Sequence, residues 1–301
     1  MDQKIRNDIN GWLVVDKPLN MGSTYVVTQI KRLIHPMKIG HGGTLDPLAS
    51  GVLPIALGKA TRTVAYVMDG LKTYEFCIKF GVSTSTDDAE GDVVGRCDHL
   101  PSAEEVKAIL PRFIGDIEQM PPAYSALKID GRRAYDLIRK GIEPDLKSRI
   151  VHIESLDLID VLSDDEMRFR VVCGKGTYVR SLGRDIAQTV GSCGHLSYLR
   201  RTACGAFTIK DSFSLEKINE LWYKGELQKQ LFSVETVLND ILELALTENQ
   251  ARALSFGRAF TAPTGLVDGV KYKATLDGLL VAFVQVRDGF VRPTKVFKQF
   301  K

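Results

Sequence analysis

The residues best suited to chemistry lie in one short stretch, Gly40-His41-Gly42-Gly43-Thr44-Leu45-Asp46-Pro47-Leu48-Ala49-Ser50-Gly51, with four glycines in twelve positions. Glycine lets a backbone approach a ligand closely, so a phosphate-cradling loop is the first chemistry to consider. The spacing argues against a P-loop: Gly51 and Gly58 are separated by six residues, and Ala60 rather than Ser or Thr follows Lys59. Nor does the stretch join a strand to a helix through GxGxxG, as a dinucleotide site requires. What remains is Asp46, a carboxylate on a turn held by Pro47, able to serve as nucleophile, base or ligand, with a plain Asp-Pro turn as the bland alternative. Asp87, Asp88, Glu90 and Asp92 in TSTDDAEGD could supply the second carboxylate of a glycosidase pair, or form a solvated acidic turn. They lack the alternating ligands and distal Glu of a calcium loop.

Other chemistries find less support. The five cysteines are never closer than eleven residues, so neither a disulfide framework nor a CxxC zinc pattern exists. Cys193 and His195 could give two metal ligands where a zinc site takes three or four, so no metal is expected. Net charge is only +3, but it is uneven. Lys175, Arg180, Arg184, Arg200 and Arg201 stand against Asp185 alone between 173 and 202, and LKIDGRRAYDLIRK at 127–140 adds five bases against two acids. Two basic patches on a nearly neutral chain suit a docked polyanion such as RNA, against the alternative of solvated helix faces.

These side chains need elements to hold them. At 301 residues, with 44% hydrophobic and 26% charged, the chain is expected to form one large globular domain carrying a smaller one. No apolar run approaches the 18 residues of a membrane span, and the polar first ten residues do not make a signal peptide, so a cytoplasmic protein is expected. Trp12 to Asp16 reads as a strand, and a helix capped near Ser23 carries Val26, Ile30 and Ile34 up to His35-Pro36. Gly40 to Gly51 reads as a surface loop. In KTYEFCIKF, Tyr74, Phe76, Ile78 and Phe80 alternate with polar residues, giving a strand whose inward face begins at Tyr74. Ser102 and Glu105 form a capping box, a short helix is expected over 132–140, and strands over 150–159 and 166–173. Thr177 is expected to cap a helix bearing Val179, Leu182 and Ile186, on which Arg180 and Arg184 share a face. The segment 214–246 is helical in pattern. Beyond it, Thr247 to Phe256 reads as a helix, followed by a small β unit turning at Asp288-Gly289.

One set of segments resembles a known family. GHGGTLDPLASGVLPIALGKATR closely resembles the catalytic motif of the TruB family of tRNA pseudouridine synthases. VVDKPLNMGST, KTYEF, TSTDDAEG, MPPAYSALKIDGRRAYDL, CGKGTYVRSLGRD and HLSYLRR follow the family's segments in order, across about residues 11 to 209.

The resemblance implies an α+β pseudouridine-synthase fold, a large mixed, mostly antiparallel sheet with flanking helices, over 1–242, and a PUA-like β domain over 243–301. It implies isomerisation of uridine 55 in the T loop of tRNA, by a cytoplasmic monomer without cofactor or metal and with no obligate protein partner. Asp46 would be the catalytic aspartate, attacking C6 of uracil or C1′ of ribose, with Arg180 as its partner and Tyr74 against the base. His41 would fill the space left by a flipped-out uridine, Tyr178 and Leu199 would line its pocket, and Asp88 would be an acidic site residue. Lys17 and Pro18 would support the site. The insertion at about 120–147 would be an RNA-gripping thumb, giving Lys128, Arg132, Arg133, Arg139 and Lys140 a shared purpose. These roles suit the residue types: an arginine beside a buried carboxylate favours its ionised form, and a tyrosine offers both a stacking face and a hydroxyl. A catalytically silent RNA-binding or tRNA-folding protein of the same fold is the alternative, and a kinase or glycosidase built on the glycine loop a more distant one. An intact Asp46, Tyr74 and Arg180 set weighs against a pure binder, which has no need of a buried ion pair.

Overall fold

A computed structural model describes residues 6–125, 127–129, 132–138, 141–142, 144–239 and 241–297. Its contacts divide the chain into two compact units, meeting between Leu231 and Phe232. The first runs β1 (Gly11–Lys17), α1 (Ser23–Ile34), β2 (Ile39–His41), β3 (Ala49–Leu57), α2 (Val64–Asp69), β4 (Lys72–Phe80), β5 (Val82–Thr84), β6 (Val93–Arg96), α3 (Ala103–Ile109) and β7 (Gly115–Gln119). It continues through β8 (Lys128–Ile129), β9 (Arg132–Arg133), α4 (Ala134–Ile138), β10 (Arg149–Ser163), β11 (Glu166–Cys173), α5 (Val179–Thr189), β12 (Gly194–Cys204), β13 (Phe207–Thr208) and α6 (Leu215–Tyr223).

Among the described residues, nine strands form one sheet with the central order β1-β3-β12-β4-β11-β10-β7; β2 pairs with β3, and β13 with β12. Every pairing is antiparallel except β3 with β12. This is the expected large mixed, mostly antiparallel sheet with flanking helices. One core packs α3 and α5 on Phe76, Ile78, Ile153 and Phe169, and another packs α1 and α6 on Leu13, Val15, Leu53 and Ile55. Tyr74 and Leu199 pack against both, so they stand at the seam of the two cores. In the middle of the sheet, between β12 and β11, β4 buries Phe76, Ile78 and Phe80 on one face; on the other, Cys77 is buried while Glu75 and Lys79 stay partly exposed.

Several local expectations change. The glycine-rich segment is not wholly a loop: β2 precedes it, and β3 begins at Ala49 and is buried throughout. Gly51 has φ +101°, and an added Cβ would lie 2.2 Å from the Arg201 carbonyl oxygen, so glycine there lets β3 and β12 meet. Ser23 does not cap α1. Gly22 is the N-cap, and the Ser23 hydroxyl instead joins the Leu45 backbone on both sides, at 2.8 Å each. Tyr178 rather than Thr177 caps α5. The expected helix over 132–140 is the shorter α4, because Arg132–Arg133 pairs with Lys128–Ile129 as a hairpin. The helical pattern after Ser214 stops at Tyr223, where Gly225 takes φ +71°, and continues as short 3-10 turns.

The second unit holds β14 (Glu243–Ala245), α7 (Glu248–Ser255), β15 (Phe260–Thr261), β16 (Lys271–Leu276), β17 (Leu279–Arg287) and β18 (Phe290–Val296). Its five strands form a separate sheet, order β14-β16-β17-β18-β15, around a core of its own. By its contacts the segment from Phe232 groups with this unit, and Lys273 N donates to Leu242 O at 2.9 Å.

Candidate active site

Asp46 sits on the short connection from β2 to β3, and this connection is tied at almost every residue. Gly42 N donates to Pro54 O at 2.8 Å, Ala49 N to Asp46 O at 3.1 Å, and Asn20 N to Pro47 O at 2.8 Å. Lys17, fully buried at the end of β1, donates from Nζ to Pro18 O (2.9 Å), Met21 O (2.6 Å) and Pro47 O (3.2 Å). Burial pushes its ammonium down to about 8, Asp46 opposing that shift and Arg201 adding to it. Arg201, 1% exposed, donates to Val52 O at 2.8 Å, Gly43 O at 3.1 Å and Thr44 O at 3.5 Å. A turn whose carbonyls are taken up by two buried cations presents its remaining carboxylate in a fixed direction.

The carboxylate meets Arg180 from the first turn of α5. Arg180 Nη2 lies 2.9 Å from Asp46 Oδ2; the arginine is buried, while the aspartate side chain is 40% exposed, so one end of the pair faces open space. The same guanidinium donates to Thr86 O at 2.9 Å and Tyr124 O at 3.0 Å and stands 3.6 Å from Asp88 Oδ2. Asp88 is buried and also accepts from Thr86 Oγ1 at 2.5 Å and Glu90 N at 3.0 Å. One turn along α5, Arg184 binds Asp87 at 2.9 Å and Met120 O at 3.0 Å. The helix can lie this close because Gly183 has no side chain: a Cβ there would meet Leu196 Cδ2 at 2.5 Å.

In front of the pair is a cleft of about 450 Å³, within the roughly 300–1,000 Å³ of small-ligand sites. Asp46, Tyr74, Tyr178, Arg180, Leu199 and Arg201 all line it. A smaller cavity of about 110 Å³ shares Asp46, Arg180 and Leu199 with it and is also lined by Asp88. On β4, burial raises the Tyr74 phenol to about 12, outweighing the positive charge of Arg201, which lowers it. Its hydroxyl is therefore protonated at neutral pH. Tyr178 is held by Gln119, which accepts from its N–H at 2.8 Å and donates to its carbonyl at 3.1 Å, and Arg149 lies 5.5 Å from the centre of its ring.

A profile of the TruB family pseudouridylate synthase N-terminal domain matches residues 31–179, and one of the tRNA pseudouridylate synthase B C-terminal domain matches 180–242. A tRNA pseudouridine synthase B of Rhodospirillum rubrum is 46% identical, the alignment covering 96% of each chain. The chain belongs to the TruB family of pseudouridylate synthases. Another relative of the same name, from Gluconacetobacter diazotrophicus, is 44% identical over 98% of this chain and all of its own. Among solved structures, a Cbf5-Nop10-Gar1 complex aligns with TM-score 0.75 at 25% identity, covering 96% of this chain and 85% of that one. An H/ACA RNP bound to a substrate RNA containing 2′-deoxyuridine has TM-score 0.74 at 22% identity, covering 99% and 92%, and shows likeness of fold.

In this TruB-family chain, then, Asp46, Tyr74, Tyr178, Arg180 and Leu199 converge on one cleft. Asp88 backs it through Arg180. His41 ends β2, paired with Ile55, and its ring nitrogen accepts from Gly43 N at 3.4 Å; it is not among the cleft residues, and burial lowers its basicity. Lys128, Arg132 and Arg133 lie on the β8–β9 hairpin, whereas Arg139 and Lys140 fall outside the described residues. Sequence reasoning missed three residues. Lys72 lines the cleft and donates to Met68 O and to Gly70 O at 2.5 Å. Gln119 fixes Tyr178. Arg201 was visible only as a unit of basic charge; of two successive arginines on a strand, one turns inward, and the local sequence does not say which.

Proposed function

We propose that this chain isomerises uridine 55 in the T loop of tRNA to pseudouridine, with Asp46 as the catalytic aspartate acting on a uridine flipped out of its stack. The carrying observation is the Asp46–Arg180 pair at 2.9 Å, half open to a cleft large enough for a nucleoside. The names of the relatives support tRNA as the substrate. Asp46 attacks C6 of uracil or C1′ of ribose; the C1′–N1 bond breaks, the base turns, C1′ bonds to C5, the bond to Asp46 breaks, the C5 proton leaves and N1 takes up a proton. Arg180 holds the carboxylate aimed at the cleft. Tyr74 packs against the base, Tyr178 and Leu199 line its pocket, Asp88 steadies Arg180, and His41 occupies the place the uridine vacates.

On this reading, residues 1–242 are catalytic and 243–301 a PUA-like RNA-binding domain, and the protein works as a cytoplasmic monomer without cofactor, metal or obligate protein partner. The insertion at 120–147 grips tRNA through Lys128, Arg132, Arg133, Arg139 and Lys140. The test is to incubate purified protein alone with unmodified tRNA transcript and map pseudouridine at single-nucleotide resolution. Conversion at position 55 is expected, and none at any position would refute the reading.

A further inference from the structure

Arg201 is a buried cation to which the reaction as drawn gives no task. Its side chain is almost wholly enclosed, and Arg180 and Arg200 have carboxylates at 2.9 and 2.8 Å, but among the described residues no carboxylate forms an ion pair with Arg201. A buried guanidinium without a counter-anion is costly, and three backbone oxygens only partly offset the lost water. Those oxygens belong to Gly43, Thr44 and Val52, on either side of Asp46, so the guanidinium plane is fixed. Arg201 stands directly opposite Tyr74 in the β12–β4 ladder; both line the cleft, and the arginine's charge acts on the Tyr74 phenol.

Either route of attack puts negative charge on the pyrimidine before pseudouridine is complete. Cleavage of C1′–N1 leaves the electron pair on the base, and addition at C6 moves charge onto the C4 carbonyl oxygen. Arg180 is poorly placed to meet that charge, since Asp46 and Asp88 already share it. Arg201 is shared with no carboxylate, and a cation beside the phenol favours the orientation in which the oxygen faces the guanidinium and the hydroxyl proton points away from it, into the cleft.

We propose that Arg201 is a positioning residue for Tyr74: it fixes the phenol oxygen, turns the hydroxyl proton toward the reacting pyrimidine, and adds an unneutralised positive charge behind that hydrogen bond. No proton transfer is required; the contribution is a preorganised donor for an oxygen that becomes anionic. This rests on the reading of the cleft as a pseudouridine site.

The test is single-turnover conversion of an unmodified tRNA transcript by Arg201→Gln and Arg201→Lys, each alone and combined with Tyr74→Phe. Arg201→Gln is expected to slow conversion at least about tenfold with tRNA affinity within about threefold, and to cost less than about threefold more in the Tyr74→Phe background. Equal losses in both backgrounds would overturn the proposal, leaving Arg201 as a clamp on the Asp46 turn. If Arg201→Gln does not fold, or conversion is too slow to compare, carbon-13 NMR of ring-labelled tyrosine decides, with Tyr74 assigned from Tyr74→Phe. Its Cζ resonance is expected to move in Arg201→Lys, and an unmoved resonance overturns the proposal. NMR needs no turnover, so its outcome is separate from failure of the synthase reading, which would show as no pseudouridine made by the wild-type chain.

Discussion

Asp46 is surrounded by cations that do different work. Arg180 touches the carboxylate, whereas Lys17 and Arg201 bind the carbonyls of its turn. Asp46→Asn keeps the shape and removes the nucleophile, so pseudouridine formation is expected to vanish while tRNA affinity stays within about tenfold; a mutant that still converts tRNA near the wild-type rate would remove Asp46 from the mechanism. Tyr74→Phe keeps the ring and loses the hydroxyl, which at a pKa near 12 is a donor in the resting protein. Normal tRNA binding with slowed single-turnover conversion is expected, and an unchanged rate would show the hydroxyl idle. Lys17 offers a pH test. Its folded-state value, about 8, lies below the ordinary 10.5, so between these the unfolded chain binds more protons and stability rises with pH. The benefit is complete above the unfolded value and is lost as pH falls through 8. Denaturant titrations from pH 8 to 10.5 are expected to show wild type gaining on Lys17→Met by up to about 1.4 kcal/mol per pH unit; a constant gap would mean that Lys17 does not titrate there.

The strands and the helix that carry these side chains are held by contacts that leave no room for a methyl group. The connection leading into β3 carries Asp46 and β12 carries Leu199 and Arg201, and the two strands pair in parallel through Leu199–Ala49, Arg200–Ser50 and Arg201–Gly51. Gly51→Ala is both strained by its positive φ and blocked by backbone, so no rotamer change relieves it. It is expected to cost about 2 kcal/mol or more of stability in thermal or denaturant unfolding, and conversion should fall with it as β12 shifts; wild-type stability would mean that the strands can separate without penalty. The amphipathic stripe of α5 was readable from Val179, Leu182 and Ile186, all buried. Its start was not. Thr177 has the right chemistry for a cap, but its hydroxyl turns back to Gly174 O at 3.1 Å. Ser23 likewise carries a capping side chain and spends it on Leu45, because a buried backbone amide and carbonyl on the Asp46 turn had no other partner to satisfy them.

Each of the two units has a core of its own, so the chain up to Leu231 is expected to unfold cooperatively without the rest, as judged by near-ultraviolet dichroism during thermal melting. Loss of a cooperative transition in the truncated chain would show that the first unit depends on the second. RNA binding belongs to larger surfaces. Neutralising Arg132, Arg133 and Lys140 together is expected to weaken tRNA binding and to flatten its dependence on log salt by up to three contacts, each worth a slope of roughly 0.7 to 0.9. Conversion at saturating enzyme should change less. An unchanged slope would make the basic run of 128–140 an ordinary solvated surface.

Much of this protein was legible along the chain. The family rested on linear motifs, and the capping box at Ser102, the β4 alternation and the hairpin turn at Asp288-Gly289 are local rules that a few neighbouring residues enforce. Asp46, Tyr74 and Arg180 could be named from those motifs, but their meeting could not, since it needs β3, β4 and α5 brought together by one sheet and two cores. Arg201 marks the limit most clearly. Beside Arg200 it has the same charge and the same strand, yet Arg200 reaches the half-exposed Asp16 while Arg201 is enclosed against Tyr74 and the Asp46 turn. Side chains alternate along any strand, but which face is inward, and what waits there, depends on partners distant in sequence.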